Sequence, residues 1–214
     1  MTSQPVDKKR GTAERRSAIL AAARTLFSSQ GYEKTTMQQV VREAGTSIGN
    51  CYFYFNNKEA LLRALVEEIT HEIKVDAEKA VARMDGEVVP RLAVSLHILF
   101  AKVLENSAIS RLILLGLAQP TLREATFAYY TAALLRFFEE HPNLLPEMDS
   151  ELLVEAWLGG CAAVLEAAVT GDIDRDPHEI SRFLVGWNLR ASGVASADVD
   201  AGLAALDRFV AEHA

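Results

Sequence analysis

The stretch from Gly31 to Glu59, GYEKTTMQQVVREAGTSIGNCYFYFNNKE, constrains the fold more tightly than any other part of the chain. Thr36-x-x-Gln39 is a capping box, in which the threonine hydroxyl takes the Gln39 amide and the Gln39 side chain returns to Thr36. Met37, Val40, Val41 and Ala44 recur at helical spacing behind it, and Gly45 suits a left-handed helix end. Ser47 can cap a second short helix through Phe53, and Asn57 can cap a third that opens with Lys58 and Glu59. A short helix, a turn of about three residues and another short helix is helix-turn-helix spacing. The second helix carries Gly49 and Asn50 in its first turn, which weakens it as a helix. A small first turn does let a helix end approach base edges and phosphates closely. The phenols of Tyr52 and Tyr54 can hydrogen-bond phosphate, and Lys58 adds charge to a helix end that already favours anions. A polar helix among aromatic residues also fits an ordinary packing motif, and spacing alone leaves both readings open.

The flanks set this stretch in an all-α chain. Ile19, Ala22, Ala23, Leu26 and Phe27 form an apolar stripe on a helix predicted over residues 12–30. A long helix is predicted over 58–83. Further helices are predicted at about 88–105, 107–116, 121–140, 150–169, 177–191 and 197–213, separated by Asn, Gly and Pro breaks. Asp176-Pro177-His178-Glu179 is a well-formed helix start. No strand alternation or repeat stands out. The organisation read from this pattern is a disordered basic arm over 1–11, a helix-turn-helix unit over 12–58, a linking helix over 58–83, and a helical body over 84–214.

Charge is divided unevenly. The chain as a whole carries −7, yet residues 1–60 hold nine Lys and Arg against five Asp and Glu, and the remainder holds 13 against 24. A basic head on an acidic body suits a module that grips phosphates at one end. Cys51 and Cys161 have no pair spacing and read as free thiols of a reducing compartment, so the expected location is cytoplasmic. No run approaching the roughly 18 apolar residues of a membrane span stands out, and no membrane partner is expected. Glu67 with His71 reads as a solvated helix face, and Asp172-x-Asp174-x-Asp176 lacks the glycine and glutamate of a calcium loop. Neither a metal site, nor a cofactor, nor a nucleophile with its base is expected, so the chain does not read as an enzyme.

The pattern Gly31-Tyr32-x-x-Thr35-Thr36-Met37-x-x-Val40-x-x-x-Ala44-Gly45-x-Ser47-x-Gly49-x-x-Tyr52-x-Tyr54-Phe55-x-Asn57-Lys58-Glu59-x-Leu61 resembles the N-terminal domain of TetR-family transcriptional regulators, from about Ile19 to Leu65. The resemblance implies that Thr35, Thr36, Tyr52, Tyr54 and Lys58 touch phosphate. It also implies that Ser47, Ile48, Gly49 and Asn50 face base edges or phosphate of a double-stranded operator. Thr46, Cys51 and Tyr54 stand where the family more often has an apolar residue, an aliphatic one and His. None of these removes the fold, but Ile48 and Asn50 leave the operator sequence open.

For the body, the resemblance implies an effector-binding and dimerisation domain. A pocket for a mainly hydrophobic small molecule is expected from His97, Phe100 and Leu104, from Phe127, Tyr130 and Leu134, and from Trp157 with Cys161. A homodimer face is expected from the small residues Gly159 and Ala163 and from Phe183, Leu184 and Trp187, as a four-helix contact. The expected function is a homodimeric repressor released by its effector. The alternatives are an activator of the same family, or an all-helical enzyme or scaffold that does not bind DNA.

Overall fold

A computed structural model of the chain describes residues 5–85, 87–142 and 149–213; for 5–10, 121, 125–130 and 133 only the helical backbone is described. The described residues form ten helices and no strand: α1 Pro5–Gln30, α2 Met37–Glu43, α3 Ile48–Tyr54, α4 Lys58–Val81, α5 Val88–Glu105, α6 Ser107–Ala118, α7 Pro120–Glu140, α8 Ser150–Thr170, α9 Pro177–Ala191 and α10 Ser196–His213.

The helix starts follow from local chemistry. Thr36 and Gln39 complete both halves of the capping box of α2, and the side chains of Ser47, Asn57 and Asp176 accept backbone amides at the starts of α3, α4 and α9. Gly31, Gly45 and Gly171 each take positive φ where a helix ends. One start differs from the sequence reading. α1 begins at Pro5, not near Thr12, so residues 5–11 are helical where an irregular arm was expected. Lys8, Lys9 and Arg10 are good helix formers, and Pro5 fits the first helical position.

Three apolar clusters hold the helices together. The first joins α1 to α4 through Ile19, Phe27, Val40, Cys51, Leu61 and Leu65, and takes in Ile109 and Leu112 of α6. The second joins α5, α8, α9 and α10 around Phe100, Leu165, Leu184 and Leu189. A smaller third one pairs Phe138 of α7 with Leu153, Val154 and Trp157 of α8. α6 therefore roots in the core of the N-terminal unit while its outer residues face the body. Arg24 of α1 and Glu72 of α4 pair at 3.1 Å, and Asp76 of α4 pairs with Lys102 of α5 at 3.0 Å, so α4 is tied on both sides.

Candidate nucleic-acid interface and effector cavity

The front of α3 is open. Ser47, Ile48, Gly49 and Asn50 are all exposed, as are Tyr52 and Phe53, while Cys51 and Phe55 point into the core. The Asn50 amide donates to Thr46 Oγ1 at 3.4 Å, which orients it along the helix start. A Cβ added at Gly49 would meet nothing within 4 Å, so no neighbour inside the protein requires glycine there. Phe53, 77 % exposed, is the most prominent aromatic residue on this surface. It was not among the expected contacts, although its i, i+4 relation to Gly49 placed it on the outermost face. Tyr54 is half-buried, packs edge-on to Phe53 with centroids 5.1 Å apart, and rests on the first cluster.

Two expected phosphate contacts are engaged inside the protein. Thr35 is buried; its hydroxyl donates to Gly31 O at 2.8 Å and accepts from Gln30 Nε2 at 3.1 Å, closing the turn between α1 and α2. Lys58 Nζ donates to Tyr32 O at 2.7 Å and lies 4.1 Å above the Tyr32 ring, so it braces α4 against that turn. Thr36 stays exposed as the cap of α2. Arg16 of α1 lies over the Phe55 ring at 5.4 Å, which supports the same unit from behind.

The body contains a cavity of about 330 Å³ walled by α4 to α9. Phe100, Leu134, Trp157 and Cys161 line it, as expected from the sequence. Thr70, Ile73, Ile113, Leu117 and Asn188 also line it and were not foreseen, because they face it from helices assigned other tasks. His97 and Leu104 do not line it. The α5 wall is Leu92, Ser95, Leu96, Leu99, Phe100 and Val103, and His97 and Leu104 lie roughly 110–130° around the helix from the middle of that stripe, beyond Phe100 at its edge. Leu104 packs on the second cluster. His97 is buried against α9 and α10: Nδ1 lies 2.7 Å from Ser181 Oγ, and the His178 ring is edge-on at 5.8 Å. Burial, and then the neighbouring His178, push its pKa down to about 4, against a smaller opposing pull from Asp207. Cys161 sits in the cavity wall, and burial pushes its thiol up to about 11, so it stays protonated. Phe127 and Tyr130 lie on α7, with side chains outside the described residues.

On the other side of α8 an apolar face is left uncovered. Gly159 and Ala163 lie on it beside Leu152, which is 70 % exposed, and Phe183 and Trp187 of α9 are 61 % and 36 % exposed. Trp187 lies against Gly160, where a Cβ would come within 2.8 Å of the indole. Leu184 departs from the expectation: it is fully buried in the chain's own second cluster. Contrary to the sequence reading, α8 is long and apolar enough to cross a membrane, by length and composition alone, and little of its apolar stretch is buried in the fold. Among the described residues no group of three His, Cys, Asp or Glu could hold a metal ion.

A family model described as "Bacterial regulatory proteins, tetR family" matches residues 19–65, the span that carries α2, α3 and the exposed α3 front. This span carries a tetR-family domain. Over 54 residues the chain is 44 % identical to the uncharacterized HTH-type transcriptional regulator YfiR of Bacillus subtilis, covering 25 % of this chain and 26 % of that protein. Over 62 residues it is 36 % identical to the HTH-type transcriptional repressor KstR2 of Rhodococcus jostii, covering 29 % and 30 %. The chain thus spans between a quarter and a third of the length of these curated relatives. Beyond the tetR-family domain the likeness is one of fold. The solved structure of RolR in complex with resorcinol superposes with a TM-score of 0.67 at 22 % identity, covering 91 % of this chain and 95 % of that one.

Proposed function

We propose that the protein is a homodimeric, sequence-specific DNA-binding transcriptional regulator of the cytoplasm. It acts as a repressor released from a double-stranded operator by a hydrophobic small molecule, and it is not an enzyme. The observation that carries this reading is the position of α4. The same helix packs on the tetR-family domain through Leu61, Leu65 and Ile69 and walls the cavity through Thr70 and Ile73. A molecule that fills the cavity acts directly on the helix that carries α3. If it binds better when α4 and α6 have shifted, it draws the population toward that state and away from the operator-bound one. The relative named as a repressor and the fold neighbour solved with an aromatic ligand support the two halves of the reading. The uncovered apolar face of α8 and α9 supports pairing of two copies, which sets two α3 helices on one duplex.

Ser47, Ile48, Gly49 and Asn50 are assigned to base edges, with Thr36 and Tyr52 on phosphate. Tyr54 and Lys58 then hold α3 and α4 in place for that contact. Fluorescence anisotropy against the DNA upstream of its own gene tests the assignment. Binding is expected to be sequence-selective and to weaken steeply with salt. Gly49→Val should weaken operator binding by about tenfold or more, since a good base contact is worth roughly 1–3 kcal/mol. It should cost the fold little, because its Cβ enters open space. Binding that ignores sequence, or a Gly49→Val protein that binds normally, would sink the assignment.

A further inference from the structure

The cavity wall is almost entirely apolar, but two of its side chains carry polar atoms that nothing in the protein answers. Trp157 Nε1, a donor, and Asn188 Oδ1, an acceptor, are both buried without a hydrogen-bond partner. Trp157 and Asn188 both line the cavity and are 2 % and 0 % exposed. The other end of the Asn188 amide is in use, with Nδ2 donating to Cys161 Sγ at 3.2 Å. Folding has therefore desolvated one donor and one acceptor beside a space that could hold the missing partner. Buried polar groups are nearly always paired, and an unpaired one calls for an explanation.

Charge narrows the chemistry further. Among the described lining residues Lys74 is the one charged side chain. Its ammonium is half-exposed and pairs with Glu78 at 3.6 Å, one turn along α4, so it belongs to the outer rim. Among the described lining residues no other charge of either sign faces the interior. A carboxylate, phosphate or ammonium placed there would lose its hydration and find no partner, which is strongly unfavourable. The volume, about 330 Å³, is at the small end for ligand pockets.

The geometry points to an uncharged, compact hydrophobic molecule bearing a hydroxyl group as the occupant of this cavity, bound through Trp157 Nε1 and Asn188 Oδ1. A hydroxyl oxygen accepts from the indole N–H, and its hydrogen is available to the amide oxygen. The inference rests on the effector role proposed above and names the class of that effector. It further assigns Trp157 and Asn188 as the residues that separate a hydroxyl compound from a hydrocarbon of the same shape. Shape alone discriminates weakly in an apolar pocket. A site built around a hydrogen bond rejects the analogue that lacks it, because its own buried groups then stay unpaired.

Isothermal titration of the intact protein without DNA tests this, using para-propylphenol, its methyl ether, propylbenzene and para-propylbenzoate at neutral pH. The phenol is expected to bind about tenfold or more tightly than propylbenzene, with the methyl ether between them and the benzoate weakest. Trp157→Phe deletes the N–H together with the five-membered half of the indole, so its effect is read as the ratio of phenol to propylbenzene affinity, which should narrow whatever happens to either alone. Should that variant fold poorly, the four-compound order on the unaltered protein still decides. Equal binding of phenol and propylbenzene, benzoate binding as tightly as phenol, or no binding by any of the four overturns the inference. The operator complex is then titrated with the phenol. Tight phenol binding that leaves the complex intact upholds the ligand class and refutes the effector role.

Discussion

Phe183→Glu tests the uncovered face most directly. Phe183 is 61 % exposed on α9, so its replacement removes little from the chain's own core. A phenylalanine offers roughly 150–250 Å² of surface to burial, so about 90–150 Å² of Phe183 awaits a partner. At about 25 cal/mol per Å² that surface is worth roughly 2–4 kcal/mol in each copy. A two-fold interface uses it twice, so the loss per dimer is about 5–8 kcal/mol before the cost of burying a carboxylate is added. At roughly 1.4 kcal/mol per decade, the dimer constant weakens by three to five orders of magnitude or more. Sedimentation velocity at low micromolar concentration should find the unaltered protein as a dimer and the Phe183→Glu protein as a monomer. Circular dichroism should find the same helix content in both. Operator affinity should fall with the dimer, since one head alone makes half the contacts. A Phe183→Glu protein that remains dimeric, or an unaltered protein that is monomeric, refutes the assignment of this face.

Two further predictions concern stability. Gly45 takes φ 61° at the turn before α3, and a Cβ there meets nothing within 4 Å; Gly45→Ala should therefore cost about 1–2 kcal/mol in urea unfolding from backbone conformation alone, and an unchanged midpoint would refute that origin. His97 stays neutral in the folded protein down to about pH 4, whereas the unfolded chain takes up a proton below about 6.5, so stability should fall as pH drops through that window and be unaffected above it. His97→Gln should flatten the slope of unfolding free energy by up to about 1.4 kcal/mol per pH unit between those limits, and an unchanged slope would mean that His97 titrates normally.

What the sequence by itself determined is local. Thr36 with Gln39, Ser47 with Asn50, Asn57 with Ala60 and Asp176 with Glu179 each meet within three residues, so helix starts could be read from the chain directly. The same holds for Gly31 and Gly45, whose left-handed backbone is a property of the residue and its neighbours. These features were enough to place α2, the turn and α3, and with them the exposed Ser47–Asn50 front.

Contacts between distant residues decided the rest. Lys58 reads as a free cation until α4 is laid beside Tyr32, 26 residues earlier, and Thr35 reads as exposed until its turn closes on Gln30. His97 and Phe100 share a sequence pattern, yet rotation of α5 sends one toward α9 and α10 and the other to the cavity. Leu184 and Phe183 are adjacent in sequence but divided between the chain's own core and its surface. Periodicity marks an apolar stripe without saying which neighbour covers it. Six helices surround the cavity, and only their packing leaves Trp157 Nε1 and Asn188 Oδ1 without partners. A short-range cap is settled by a few dihedral angles, whereas a cavity is the space that remains after all the surrounding side chains have been placed.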